Sequence, residues 1–380
     1  MRRIFSQRHL QSVHLFQILK MKKIISITFC TLIGIALVCA TIFFNRQGDV
    51  FSTEKRAIAS KPSNITDFKG WDAYFNDRFG GRDQLIDLAN YIDRNLMDKT
   101  IKNAKAFQGK NGWFFYINTA DGNNQGDFDK TNLLNEDELK QFKDEVNDIT
   151  SWCNSNDIKC LFVICPNKHN VYPEYHILTR PDGKTRTEQL LEAFDQAHVK
   201  CIYPLNYLLS KKKESTYPIY YETDTHWNDL GAFYAFEKIR EEISLLFPDK
   251  HFPQIEYKTK VSFSESAGDI LPMLNIKNAK STRISLSPVN GKLTDYFSYI
   301  KNEGRDGIIT KGKDATLPRA IIFRDSFCTA MVQYLSTLFS EAEYDWRRIT
   351  EEDKQNIIAN KPDIIIFESV ERNSISIVKE

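Results

Sequence analysis

The chain lacks a cysteine framework. Its seven cysteines are irregularly spaced, and Cys30 and Cys39 fall inside an apolar N-terminal stretch. The rest, Cys153, Cys160, Cys165, Cys201 and Cys328, are odd in number and contain no C-x-x-C pair. That pattern excludes a disulfide scaffold and a cysteine zinc site, and leaves room for one optional bridge in an oxidising compartment. No H-E-x-x-H occurs, and two isolated Asp-x-His pairs are too sparse for a ligand cluster, so no metal is expected. No Gly-rich loop follows a strand pattern, which argues against a nucleotide enzyme, and no cofactor is expected. Net charge is only +1, so no global field draws the protein to nucleic acid. Internal repeats and low-complexity segments are absent as well.

What is present suits a globular domain with a full core: 42% hydrophobic and 27% charged residues. Aromatic residues reach 12%, enough to line a sugar cleft, although core packing is the commoner use. From Ile24 to Phe44 runs an uncharged stretch of about 21 residues, long enough to span a bilayer as a helix. Arg2, Arg3, Arg8, Lys20, Lys22 and Lys23 precede it, so the positive-inside rule places residues 1–23 in the cytoplasm and the following domain across the membrane. Met21-Lys22-Lys23 reads as a natural start, which makes residues 1–20 either an upstream start-site artefact or a cytoplasmic tail. A cleaved signal peptide is the competing reading. The stretch is long for one, and no small-x-small site follows it.

Residues 45–66 are polar and read as a linker to a domain over 67–380. Helical patterns at 67–79 and 82–98 break at Gly80-Gly81, and Asn111-Gly112 precedes a short strand at Trp113–Tyr116. A helix over 135–154 carries Leu139, Phe142, Val146 and Ile149 on one face. Cys160–Cys165 is a continuous apolar run ended by Pro166, as a buried parallel strand would be. Helix 186–198, strand 199–203 and a helix after His226 follow; 250–315 is mixed, with short strand candidates. Then come strand 319–323, helix 327–338, helix 352–360 and strand 363–367. Apolar strands alternating with amphipathic helices predict a three-layer α/β/α sandwich around a central parallel sheet. Sites in such sheets gather at the carboxyl ends of the strands.

Two constellations could carry chemistry. Arg324-Asp325-Ser326-Phe327 sits where a strand stops and a helix begins; a serine there is either an exposed nucleophile or an ordinary helix cap. Thr223-Asp224-Thr225-His226-Trp227-Asn228 puts an aspartate and a histidine two apart, so in an extended segment both point to one side. Asp224 could then hold Nδ1–H of His226 and leave Nε2 facing a serine. Asp249/His251 shares this spacing but follows a helix and runs into Pro253, as a surface turn does. A cysteine nucleophile is the nearest rival: Cys328 faces away from Ser326 on a helix, and Cys165 reads as a buried strand end.

Together, Tyr221–Asn228 with Gly231-Ala232, and Arg324–Phe327, resemble the alginate O-acetyltransferase (AlgJ/AlgX-like) family. So do Asn76–Phe79 with Arg82, Gly109–Phe114, Gly268–Ile270, Lys361–Asp363 and Glu371-Arg372, in the expected order over 50–380. The resemblance implies an SGNH-hydrolase-like domain with its motif order permuted, in which Ser326 is the nucleophile, His226 the base and Asp224 the orienting acid. Arg324 stands where the usual block has glycine and is either structural or a contact to an acidic donor or sugar. The Ser326 N–H is one candidate oxyanion donor, Asn167 is either another or a turn residue after proline, and Trp227 and Trp113 are either sugar platforms or, as is commoner, core packing.

The implied function is transfer of an acetyl group, through an acetyl-serine, to hydroxyls of an extracytoplasmic polysaccharide. The implied donor is a membrane-embedded acyl-transfer protein, beside which residues 24–44 anchor the domain on the periplasmic side of a bacterial inner membrane. An acetyl esterase with the same triad is an alternative, differing only in that water replaces the sugar. A non-catalytic polysaccharide-binding assembly subunit is another.

Overall fold

The computed structural model describes residue 23 and residues 26–35, 58–78, 88–89, 102–264, 268–276 and 281–378. The chain forms two units, Met1–Asp98 and Lys99–Glu380. Of the predicted apolar span, residues 26–35 are helical with Ile27, Phe29 and Leu32 exposed; the rest of 24–44 lies outside the described residues apart from these. Among the described residues no helix is long and apolar enough to cross a membrane. Also in the first unit is α1 (Phe68–Asp77), capped by the Asp67 carboxylate, which accepts the Gly70 N–H at 2.9 Å. The helical pattern at 82–98 lies outside the described residues except for 88–89.

The second unit begins with a hairpin, β1 (Ala106–Gln108) and β2 (Phe114–Tyr116), turned by Asn111 and Gly112, both at positive φ. Helix α2 (Glu136–Ser155) opens with a capping box between Asn135 and Glu138 and buries Phe142, Val146, Ile149 and Cys153. It leads to β3 (Lys159–Cys165), whose last five residues are all buried. Thr185 and Glu188 box the start of α3 (Arg186–Gln196), which precedes β4 (Cys201–Ile202), shorter than the predicted strand. Helices α4 (Leu205–Glu214) and α5 (Asp229–Leu246) follow, then a hairpin of β5 (Tyr257–Ser264) and β6 (Ser281–Pro288) outside the main sheet. The unit closes with β7 (Phe297–Asn302), β8 (Ile308–Gly312), β9 (Arg319–Phe323), β10 (Glu341–Asp345), α6 (Glu351–Asn360) and β11 (Ile364–Val370).

Among the described residues seven strands make the main sheet, in the order β4-β3-β11-β9-β10-β8-β7. From β4 to β10 all pairs are parallel; β8 and β7 pair antiparallel, so the sheet is mixed rather than wholly parallel. Strand period sends Leu161, Val163 and Cys165 into one core with α5, and Phe162 and Ile164 into another with α2 and α3. Ala320/Ile322 and Ile321/Phe323 of β9, and Ile366 and Phe367 of β11, divide the same way. Both faces of the sheet are therefore covered, which gives the three layers. Burying one such side chain stabilises by roughly 1.5–3 kcal/mol. The predicted helix 327–338 is broken into a 3₁₀ turn (Phe327–Ala330), a single α-turn (Val332–Leu335) and another 3₁₀ turn.

Candidate active site

Ser326 stands three residues beyond the end of β9, at the carboxyl edge of the parallel strands. Its turn is stitched to the neighbouring strand β11 in both directions. The Asp325 N–H donates to Glu368 Oε2 at 2.9 Å, and the Val370 N–H donates to Asp325 Oδ2 at 2.7 Å. Asp325 Oδ1 also accepts the Phe327 N–H at 2.9 Å. With that amide taken, the Ser326 N–H is left without an acceptor among the described residues. Burial first, and the charge of Asp325 second, push the Glu368 carboxyl up to about 8.

The histidine comes from a closed loop. Tyr220 pairs with Trp227 across it, the Tyr221 N–H donates to the His226 carbonyl at 3.2 Å, and the Asn228 N–H to the Ile219 carbonyl at 3.2 Å. Asn228 then caps α5 by accepting the Leu230 and Gly231 amides at 3.0 and 3.2 Å. A side chain at Gly231 would collide with the Ile219 carbonyl oxygen, so only glycine lets the helix approach the loop this closely. Gly268, at φ +56°, likewise backs onto the Thr223 carbonyl.

Within this frame three side chains line up. His226 Nε2 lies 2.7 Å from Ser326 Oγ, and His226 Nδ1 lies 2.6 Å from Asp224 Oδ1. Asp224 Oδ2 accepts the Asp269 N–H at 3.1 Å, and Asp269 accepts the N–H and hydroxyl of Thr225 at 2.7 and 2.6 Å. Burial alone would push the His226 imidazolium down. The hydrogen bond and charge of Asp224, with the charge of Asp269 added, outweigh burial and hold it above its ordinary value. Burial opposes the Asp224 anion, but His226 outweighs it and holds that carboxyl well below the usual range. Asp224, His226 and Asp269 are close enough to share a cation. Their atoms are already committed to one another and to Thr225, a donor set that fits an acid–base relay better than a metal centre.

Lys168 has no role in the sequence reading, yet it holds this loop. It is buried and donates to the carbonyls of Tyr221, Glu222 and Asp224 at 3.1, 3.3 and 2.6 Å. Burial pushes its ammonium down to about 8, partly countered by Asp269 and Asp224. Asp269 belongs to the Gly268–Ile270 stretch that the sequence offers only as framework. The signal that could have found Lys168 is its position, directly beyond an apolar strand.

The remaining candidates are placed differently. Asn167 is buried and is not among the residues that line the cleft; Glu371 accepts its N–H at 2.7 Å, and its side-chain amide meets no partner among the described residues. Arg324 is 1% exposed and does not adopt positive φ, so arginine is accommodated where the usual block has glycine. It donates to the Asp325 carbonyl, Thr329 Oγ1 and the Gly304 carbonyl, contacts that bind the turn together. Trp227 backs the cleft at 1% exposure, donating its indole N–H to the Phe327 carbonyl at 3.0 Å, and presents no face for a sugar. Trp113 is stacked on Tyr172 and Tyr175 in the core. Asp249 and His251 lie exposed at a turn, with Asp249 paired to Lys250. Burial pushes the thiols of Cys165 and Cys328 well up, which leaves neither as a thiolate nucleophile.

The triad opens into a cleft of about 540 Å³, walled further by Tyr221, Asp229, Gln333 and Trp346. A family model for the SGNH hydrolase-like domain of the acetyltransferase AlgX matches residues 106–304. The match takes in Asp224, His226 and Asp269 and stops short of Ser326. No curated protein matches the chain by sequence. A DHHW family protein from Eubacterium siraeum shares the fold with TM-score 0.50 at 14% identity, covering 73% of this chain and 93% of that one. PatB1 of Bacillus cereus aligns with TM-score 0.49 at 17% identity, over 63% of this chain and 90% of that one. The O-acetyltransferase domain of Pseudomonas putida AlgJ aligns with TM-score 0.47 at 16% identity, over 71% and 92%. With its model matched over more than half of the residues, the chain belongs to the SGNH hydrolase-like domain family of the acetyltransferase AlgX.

Proposed function

We propose that this chain is a serine-dependent O-acetyltransferase that carries an acetyl group on Ser326 to a hydroxyl of an extracytoplasmic polysaccharide. The observation that carries the reading is the unbroken relay from Ser326 Oγ to His226 Nε2 at 2.7 Å and from His226 Nδ1 to Asp224 at 2.6 Å. In the first half-reaction Ser326 Oγ attacks the carbonyl carbon of an acetyl donor while its proton passes to His226 Nε2. The donor's carbon–heteroatom bond breaks, and the leaving group takes the proton from His226. In the second half-reaction a sugar hydroxyl attacks the acetyl-serine, loses its proton to His226, and Ser326 Oγ leaves and recovers it. Negative charge on the carbonyl oxygen in both steps falls to the unpartnered Ser326 N–H.

The uncharged stretch 24–44 behind a basic N-terminus supports a single-pass anchor in a bacterial inner membrane, with the domain on the periplasmic side. Acetyl-CoA is not directly available there, so the donor we propose is a membrane-embedded acyl-transfer protein beside the anchor.

The test is to incubate the full chain with an activated acetyl ester, with and without glycan oligosaccharides, and to map Ser326 by mass spectrometry. Acetyl-serine at Ser326 and acetylated oligosaccharide are expected, with both lost in Ser326→Ala and His226→Ala. Acetate alone, at an unchanged rate with glycan present, would make the protein an esterase. No turnover by the purified chain, with polysaccharide acetylation in the cell surviving Ser326→Ala, would leave a non-catalytic binding subunit.

A further inference from the structure

Two partly exposed aromatic rings face the cleft and have no part in the relay: Tyr221 and Trp346. Trp346 is the residue directly after β10, the strand beside the nucleophile strand β9. The His226 loop is clamped by Lys168 beyond β3, on the other side of β9 in the strand order. Ser326 is thus flanked by its acid–base loop on one side and by an indole on the other.

That indole is fitted with two guanidinium groups of opposite character. Arg324, 4.7 Å from the ring centroid, is buried and tied by hydrogen bonds to the nucleophile turn and to the Gly304 carbonyl. It fixes the ring relative to Ser326. Arg305, 4.5 Å from the centroid, is exposed, makes no ion pair among the described residues, and rides on a turn with Gly304 and Gly307 at positive φ. A guanidinium on a partly exposed indole is weakly held, weakly hydrated, and swings on a flexible stem. It occupies the place that another flat, partly apolar group could take.

We propose that Trp346 is the stacking platform of the acceptor subsite, taking the pyranose ring of a glycan on its indole in exchange for the Arg305 guanidinium. The apolar C–H face of the sugar covers the ring, and its hydroxyls face the cleft and Ser326. Displaced sideways, Arg305 keeps its N–H donors within reach of ring and hydroxyl oxygens at the rim. The subsite deepens the transferase reading and rests on it in one respect: the stacked sugar is the acetyl acceptor.

The experiment measures binding of two end-labelled probes, β-1,4-linked glucohexaose and a galacturonic acid hexamer, to the full chain and to Trp346→Ala. At least one probe is expected to bind, and Trp346→Ala to weaken it about tenfold. In the unaltered chain, saturating probe should protect Trp346 from N-bromosuccinimide oxidation mapped by mass spectrometry, a readout that needs no variant. Failure of both probes to bind, equal affinity of the bound probe in Trp346→Ala, or unprotected oxidation would overturn the platform. A wild-type chain that binds glycan but never acetylates Ser326 would overturn the acetyl-serine reading instead and leave the platform standing.

Discussion

Asp224 does two things at once: one oxygen holds Nδ1 of His226 and the other accepts the Asp269 amide, so the carboxylate cannot rotate away from the imidazole. Under the proposed mechanism His226 must be neutral to take a proton from Ser326. Rates should therefore rise with pH through the His226 pKa, and because Asp224 and Asp269 raise that value, the midpoint should lie above the ordinary imidazole value of about 6.5. Asp224→Asn removes the largest raising influence, so the midpoint should move down while kcat falls by about 10³–10⁴-fold. The check is kcat/KM for an activated acetyl ester across the pH range in both proteins; an unmoved midpoint would separate His226 from Asp224. At this scale much of the site is legible in the sequence. Asp224 and His226 are two residues apart, and Ser326 follows a strand pattern. Asp269 and Lys168 are not legible in that way, because their bonds to the loop span 45 and 56 residues and leave no local pattern.

Among the elements, the one that most needs explaining is the loop between Ile219 and Asn228, because it is not regular structure and yet must hold an imidazole in place. Lys168 does this from the strand side by filling three loop carbonyls. Each charge-assisted bond contributes about 1.5–3 kcal/mol, but a buried ammonium whose pKa has fallen to about 8 also carries a desolvation penalty. The two oppose one another in stability and do not oppose one another in geometry. Lys168→Met should therefore leave the thermal midpoint within about 4 °C of the unaltered chain. It should lower kcat/KM by about 10²-fold, since a displacement of the base near 1 Å has that effect. A loss of activity that only tracks unfolding would contradict the clamp. Elements with strong local signals are predictable here: α2 and α3 announce themselves by capping boxes, and β3 by its unbroken apolar run. The segment after Ser326 is not, because its apolar spacing resembles a helix while the Trp227 indole bonds the Phe327 carbonyl and the chain turns as 3₁₀. Strands β7 and β8 are short and partly exposed, so their alternation is faint.

For the molecule as a whole, the layered architecture follows from apolar strands that must be covered on both faces, which is why α/β/α was predictable and the antiparallel β8–β7 edge was not. The same burial that makes the core stable also makes it sensitive to acid. His176 is fully buried among Phe107, Phe115 and Phe128, its ring 3.9 Å centroid to centroid from Phe128. Burial pushes it down to about 4, against a partial offset from the Leu178 backbone, and burial pushes neighbouring His169 down further. A histidine with a folded pKa below its unfolded value of about 6.5 binds more protons when unfolded, so stability falls as pH drops from about 6.5 toward 4. At about 1.4 kcal/mol per pH unit, His176 alone removes about 2 kcal/mol between pH 6.5 and 5. His176→Gln cannot take up that proton but keeps an acceptor for the Leu178 N–H, which donates to Nδ1 at 3.0 Å. Urea unfolding at both pH values should show a less stable variant near neutrality, through lost ring packing, whose stability declines by about 2 kcal/mol less on acidification. An unchanged decline would mean that the His176 ring reaches water before the core opens.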